Sequence, residues 1–213
     1  MRLLSVNVGR SRLVVWRGRT VSTSIWKSPV PGLVRVRSLN LDGDQQSDLS
    51  VHGGPDKAVY AYPSEHYAFW REQLPDAELP RGAFGENLTT EGLLEDRLCI
   101  GDRLRCGTAE FVVTQPRLPC YKLGLRFGRA DMVKRFQQSG RPGFYLAVVV
   151  EGQLQSGDTI ELTAAAHERV TVLDVVRAFT EGSDDQRLLG TLAELPALPE
   201  GWREHFRSHL HGA

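Results

Sequence analysis

The sequence is short of several things, and each shortage narrows what the chain can be. It has no charge of one sign to spare: 26 basic and 26 acidic residues cancel across 213 residues. That balance argues against a chain-wide footprint for a nucleic-acid polymer or an acidic membrane surface, while leaving room for a local basic pocket. No apolar run approaches the ~20 residues of a membrane helix, and Leu146–Val150 is among the longest. The first residues are too short and too polar a stretch for a secretory leader, so the expected compartment is the cytoplasm. Cysteine is scarce. Cys99, Cys106 and Cys120 cannot all pair and form no Cys-x-x-Cys unit, which disfavours a disulfide framework or a four-ligand structural zinc. P-loop, Gly-x-Gly-x-x-Gly, His-Glu-x-x-His and Gly-x-Ser-x-Gly motifs are all missing.

What is present is ordinary globular material, 41% hydrophobic and 24% charged. Short alternating or β-branched runs recur through the first two-thirds, separated by Gly, Pro and Asp: Leu3–Val8, Arg12–Trp16, Thr20–Trp26, Val34–Leu39, Ala58–Tyr62, Arg103–Cys106, Ala109–Thr114 and Phe144–Val150. Gly107 is placed for a hairpin turn. Helices are predicted over Glu65–Gln73, with Ser64 as cap, and over Ala130–Gln138. After Leu162 the apolar spacing becomes helical, over Val170–Phe179, Asp184–Leu195 (capped by Ser183 or Asp184) and Glu200–Leu210. The expected architecture is mainly β with helices: a strongly curved or closed β-barrel over residues 1–162, and a three-helix appendage over residues 167–213. So small an appendage should pack on the barrel or on another subunit, and a homodimer is one such arrangement.

The most informative segment is Thr114-Gln-Pro-Arg-Leu-Pro-Cys-Tyr-Lys-Leu123. Two prolines fix their own φ and extend the residues before them, so the loop should hold Cys120 in one place. Arg117 and Lys122 flank it, and nearby positive charge favours the thiolate, the nucleophilic and metal-binding form. Cys99 and Cys106, in strand-like stretches, read as small buried hydrophobes. In Leu49-Ser-Val-His-Gly-Gly-Pro-Asp-Lys57, Gly53 and Gly54 would let backbone amides approach an anion beside His52 and Lys57; an ordinary tight turn explains the same residues. Gly82–Gly92 reads first as a structured surface loop, and otherwise as a frame of backbone amides and the Asn87 side chain around a polar heterocycle. Arg141, in Ser139-Gly-Arg-Pro-Gly143, suits a phosphate or carboxylate, or is simply solvated. One thiolate alone binds a metal poorly, but it suffices for a soft metal that arrives already chelated by an organic cofactor with an anionic tail.

Taken in order, Leu41–Gln45, Val51–Val59, Phe84–Thr89, Ile100–Asp102, Gln115–Lys122 and Arg141–Tyr145 resemble the MOSC domain family, named after the C-terminal domain of molybdenum-cofactor sulfurase. The helical tail resembles that of compact bacterial members that reduce N-hydroxylated bases. The resemblance implies a barrel-like fold holding a molybdopterin-type molybdenum cofactor, with Cys120 as the residue that ligates molybdenum or carries transferable sulfur. His52, Gly53, Gly54, Lys57, Asn87, Arg117, Lys122 and Arg141 are then candidates for gripping the cofactor and its phosphate. It implies small N-hydroxylated substrates and a separate electron-donor protein. A pyridoxal phosphate role is discounted, since no lysine here is a convincing Schiff-base partner. Two alternatives stay open: a carrier with a persulfide on Cys120, and a metal-free cysteine enzyme using His52 as base.

Overall fold

The structure, a computed structural model, describes residues 1–47 and 53–210. Eight strands form the main sheet: β1 (Arg2–Val8), β4 (Ser28–Pro29), β6 (Val59–Pro63), β7 (Leu88–Glu91), β8 (Arg103–Cys106), β9 (Ala109–Pro116), β10 (Phe144–Val150) and β12 (Ile160–Ala164). Across the sheet they run β12-β8-β9-β10-β6-β7-β1-β4. The hairpin of β2 (Arg12–Trp16) with β3 (Arg19–Thr23), and the pair of β5 (Val34–Val36) with β11 (Gly152–Leu154), form two small ladders beside it.

The expected barrel is wrong. The sheet is mixed and open, with β12 and β4 as its edges. The start of β1 meets the turn before β12 through one isolated bridge, Arg2 with Thr159, and a few turn hydrogen bonds, not through a ladder that would close the sheet. At the other edge, β4 is two residues long and ends on Pro29, which has no amide hydrogen to extend the pairing. The strand-rich pattern identified the strands; closure depends on how the edges meet, and no local pattern reports that.

Two central elements differ from the sequence expectation. Leu88–Glu91, which its neighbouring glycines make look like loop, is a strand with Leu88, Thr89 and Thr90 buried. It pairs in parallel with β6, whose five residues are all buried, and helix α1 (His66–Gln73) lies in the crossover that a parallel pair requires. The Cys120 loop opens directly into a further helix, α2 (Tyr121–Phe127), which Gly128 ends in a left-handed conformation. Helix α3 (Met132–Gln138) comes next, two residues shorter at its start than predicted.

The three C-terminal helices are α4 (Val172–Thr180), α5 (Gln186–Glu194) and α6 (Glu200–Leu210). Thr171 and Asp174 form a reciprocal capping box at the start of α4. Asp185, rather than Ser183 or Asp184, caps α5 by accepting from the amides of Arg187 and Leu188. Val172, Val175, Leu192 and Phe206 join Leu3, Phe111 and Leu146 in one continuous apolar core, so the tail packs on the sheet. A second, aromatic cluster gathers Tyr62, Trp70, Phe84 and Phe136 between α1, α3 and the loop before β7. No helix among the described residues is long and apolar enough to cross a membrane.

Candidate functional site

Strand β9 ends at Pro116, and the next four residues carry the chain across the mouth of a cleft to Cys120, which stands immediately before α2. Cys120 is half-buried, whereas Cys99 and Cys106 are buried as expected. Burial pushes the Cys106 thiol up to about 12 and raises that of Cys99, so both stay protonated and unreactive.

Arg117 and Lys122 lie on either side of the thiol, each only 6% exposed. No described carboxylate pairs with either. Arg117 sits over the ring of Tyr60, 4.8 Å from its centroid, with Nη1 3.5 Å from the phenol oxygen. Burial would push this guanidinium down; the groups of Tyr60, Tyr145 and Cys120 around it raise it instead, so its charge is secure. Burial likewise lifts Tyr60 and Tyr145 above the usual phenol range, against the pull of Arg117, which keeps both neutral. Tyr60 donates to the carbonyl of Pro142 at 2.7 Å, which fixes the ring that supports Arg117. Lys122 Nζ has the Ser47 hydroxyl as its partner at 3.3 Å. Two buried cations beside one thiol, with neutral phenols and a serine for company, make a place where a ligand anion is electrostatically missing.

The cleft has two sides that meet at Cys120. The inner side, about 100 Å³, gathers most of the charged and polar side chains: Lys57, Asn87, Arg117 and Lys122 line it together with Gly53, Tyr60 and Tyr145. Its wall also holds the Ser24 hydroxyl, buried without a hydrogen-bond partner among the described residues. The outer side, about 400 Å³, runs past Leu118, Pro119 and Tyr121 to Trp202 of α6. Gly54 and Phe179 continue this side along the helical tail. Trp202 is held there by its indole N–H, which donates to Gln115 at 2.7 Å.

Most of the sequence-predicted residues therefore converge. Cys120, Gly53, Lys57, Asn87, Arg117 and Lys122 share one cleft, and Gly54 lies at its outer extension. His52 lies outside the described residues. Asn87 lines the cleft, but its amide is already spent: it donates to Asp44 and to the Asn7 carbonyl and accepts from the Tyr60 amide. Its role here is to clamp β6 to the chain around Asp44. Arg141 is not in the cleft. It faces the other side of the 139–145 segment, 4.1 Å above the Phe69 ring, because Pro142 and Gly143 turn the chain between them.

Sequence reasoning missed Tyr60 and Tyr145, which stand directly opposite each other across β6 and β10. It also missed Lys27, which pairs with Asp44 in the cleft wall and is pushed below the usual lysine range by burial. The one signal for these was that Asp44 and Tyr145 lie in strings already singled out; their partners come from distant strands. Glu86, in the same string as Asn87, is fully buried and organises that loop, accepting from the amides of Gly82 and Phe84 and the hydroxyls of Tyr67 and Thr89.

Fold and site together define a protein that presents one accessible thiol inside a cation-lined cleft on an open mixed sheet. The MOSC domain model matches residues 48–161, and a YiiM-like, 3-alpha helix domain model matches residues 170–213. The chain belongs to the MOSC domain family and carries that helical C-terminal region. It is 40% identical over 204 residues to the uncharacterized protein YflK of Bacillus subtilis, covering 96% of this chain and 92% of that one. A protein of Gibberella moniliformis named "Reductase" is 34% identical over 197 residues; the match spans 91% of this chain but 35% of the fungal one. The crystal structure of YiiM from Geobacillus stearothermophilus superposes with a TM-score of 0.82 at 34% identity, covering 98% of both chains.

Proposed function

We propose that the chain is a molybdenum-dependent reductase of small N-hydroxylated compounds, with a molybdopterin-type cofactor held in the Cys120 cleft. The observation that carries this reading is the pair of buried cations, Arg117 and Lys122, unmatched by any described carboxylate and flanking a half-buried thiol. A sulfur-rich, phosphate-bearing cofactor suits that donor set: the anionic part meets Arg117 and Lys122, and a soft metal meets the thiolate. The cleft residues Lys57 and Gly53 add a cation and a backbone without a side chain to the same wall. Membership of the MOSC family and the reductase name of the fungal relative point the same way.

When bound, the cofactor supplies two-electron redox chemistry. The protein's part is to hold and orient. Cys120 offers a single ligand from a loop whose prolines restrict its motion, Arg117 is fixed by Tyr60 and Tyr145, and the outer side of the cleft leaves room for substrate beside Trp202. Reduction of a hydroxylamine-type group consumes two electrons and two protons, breaks the N–O bond and releases water. We assign the electrons to a separate donor protein, and the activity to the cytoplasm, where a free thiol stays reduced.

The test is protein purified from a host that makes the cofactor, assayed for molybdenum and for reduction of an N-hydroxylated purine. Near-stoichiometric molybdenum and turnover are expected, with Cys120→Ala losing at least a hundredfold in activity. Molybdenum-free protein that instead carries a persulfide on Cys120, without turnover, would establish the carrier reading and refute the reductase.

A further inference from the structure

A larger cavity than either side of the Cys120 cleft lies elsewhere. About 930 Å³ in volume, it opens between α1, α3, the 139–142 turn and α4. Its size falls in the range of ligand sites, ~300–1,000 Å³. One wall is apolar, built from Leu173, Val176 and Phe179 at helical spacing on α4. Three cations reach it from three different elements: Lys134 on α3, Arg141 on the turn and Arg177 on α4.

The floor is a buried imidazole–carboxylate pair. His66 Nε2 lies 2.7 Å from Glu95 Oε2, and the other carboxylate oxygen accepts the Gly143 amide at 2.8 Å. Glu95 is therefore already compensated, which leaves Asp96 and Glu181 to set against the three cations. Gly143 also ties this cleft to the other one. Its carbonyl accepts from the Arg117 amide at 3.3 Å, so the same short segment is the floor support of one cleft and the wall of the next.

We propose that this cleft is a second binding site, for a small amphipathic anion: an apolar ring or chain bearing one carboxylate, phosphate or sulfonate. The apolar part lies along α4, and the charged end meets Lys134, Arg141 and Arg177. The site lies apart from Cys120, although Phe179 borders both this cavity and the outer extension of the Cys120 cleft.

The probe pair is 1-anilinonaphthalene-8-sulfonate and N-phenyl-1-naphthylamine, which share the aromatic body but differ in the anion. Fluorescence titration should show saturable sulfonate binding, and the neutral amine should bind at least tenfold more weakly. The double variant Lys134→Glu/Arg177→Glu changes two exposed positions, so its fold is retained, as near-ultraviolet dichroism can verify. It should weaken sulfonate binding at least tenfold and leave the amine unchanged. Lys122→Ala, in the other cleft, should leave unchanged the sulfonate binding that the double variant removes. The proposal is overturned by unsaturable sulfonate binding, by equal affinity for the two probes, or by binding that survives the double variant and is lost in Lys122→Ala.

Discussion

A lysine ammonium that is 6% exposed, as at Lys122, loses most of its hydration on folding, and a serine hydroxyl 3.3 Å away returns little of it. Lys122→Met keeps the length of the side chain and removes the charge. It should raise the free energy of unfolding by about 1 kcal/mol in urea titrations, while weakening anion binding in the Cys120 cleft at least tenfold. Glu86 gives a second prediction, this one about pH. Its burial, opposed by the hydrogen bonds it accepts, holds its carboxyl above the usual carboxylate range. In the window between the unfolded value near 4.5 and the raised folded value, the folded state binds more protons than the unfolded chain. Glu86 should therefore make the protein less stable as pH rises through that window, seen as a falling urea midpoint. Glu86→Gln should remove that component and cost about 1–3 kcal/mol below the window, less above it, because one of its two acceptor positions becomes a donor facing an N–H group. At this scale the sequence was partly legible. Cys120, Arg117 and Lys122 are neighbours along the chain, so their convergence could be read directly. Tyr60 and Tyr145 meet only because strands pair, and Lys27 and Asp44 only through the fold. That Arg141 lies outside the cleft was not legible, because either side of a tight turn looks the same in a sequence.

Among the elements, the 139–145 segment carries the narrowest constraint. Gly143 has φ +65°, and a Cβ there would come within 2.5 Å of the Ala61 carbonyl oxygen. Gly143→Ala should lower stability by about 2 kcal/mol or more by thermal melting, since strain and backbone overlap act together. A strand such as β8 could be read from alternation because it buries one face and wets the other. β7 could not: a threonine pair next to a glycine-rich stretch resembles a loop until it is known to lie between two other strands. Helix α2 was hidden for a similar reason, since the prolines before Cys120 mark a rigid loop but carry no information about the conformation of residues 121–127.

On the scale of the whole molecule, the tail and the sheet bury apolar surface against each other in a single cluster that runs from Leu3 to Phe206. A chain ended after Ala164 would expose the residues of the sheet that face Val172, Leu192 and Phe206. It should lose cooperative unfolding and aggregate, as dichroism and light scattering would show. The three helices were visible in sequence through their 3.6-residue apolar spacing, whereas the barrel was not a safe conclusion: strand content is a local property, and closure belongs to the assembled sheet.

The indole of Trp202 joins these scales, because the strand it touches through Gln115 is the one that leads to the Cys120 thiol. Recombination that swapped in a foreign tail would thus alter the support of the cysteine loop, even with every residue of that loop left as it was. Tail and sheet should be inherited as a matched pair.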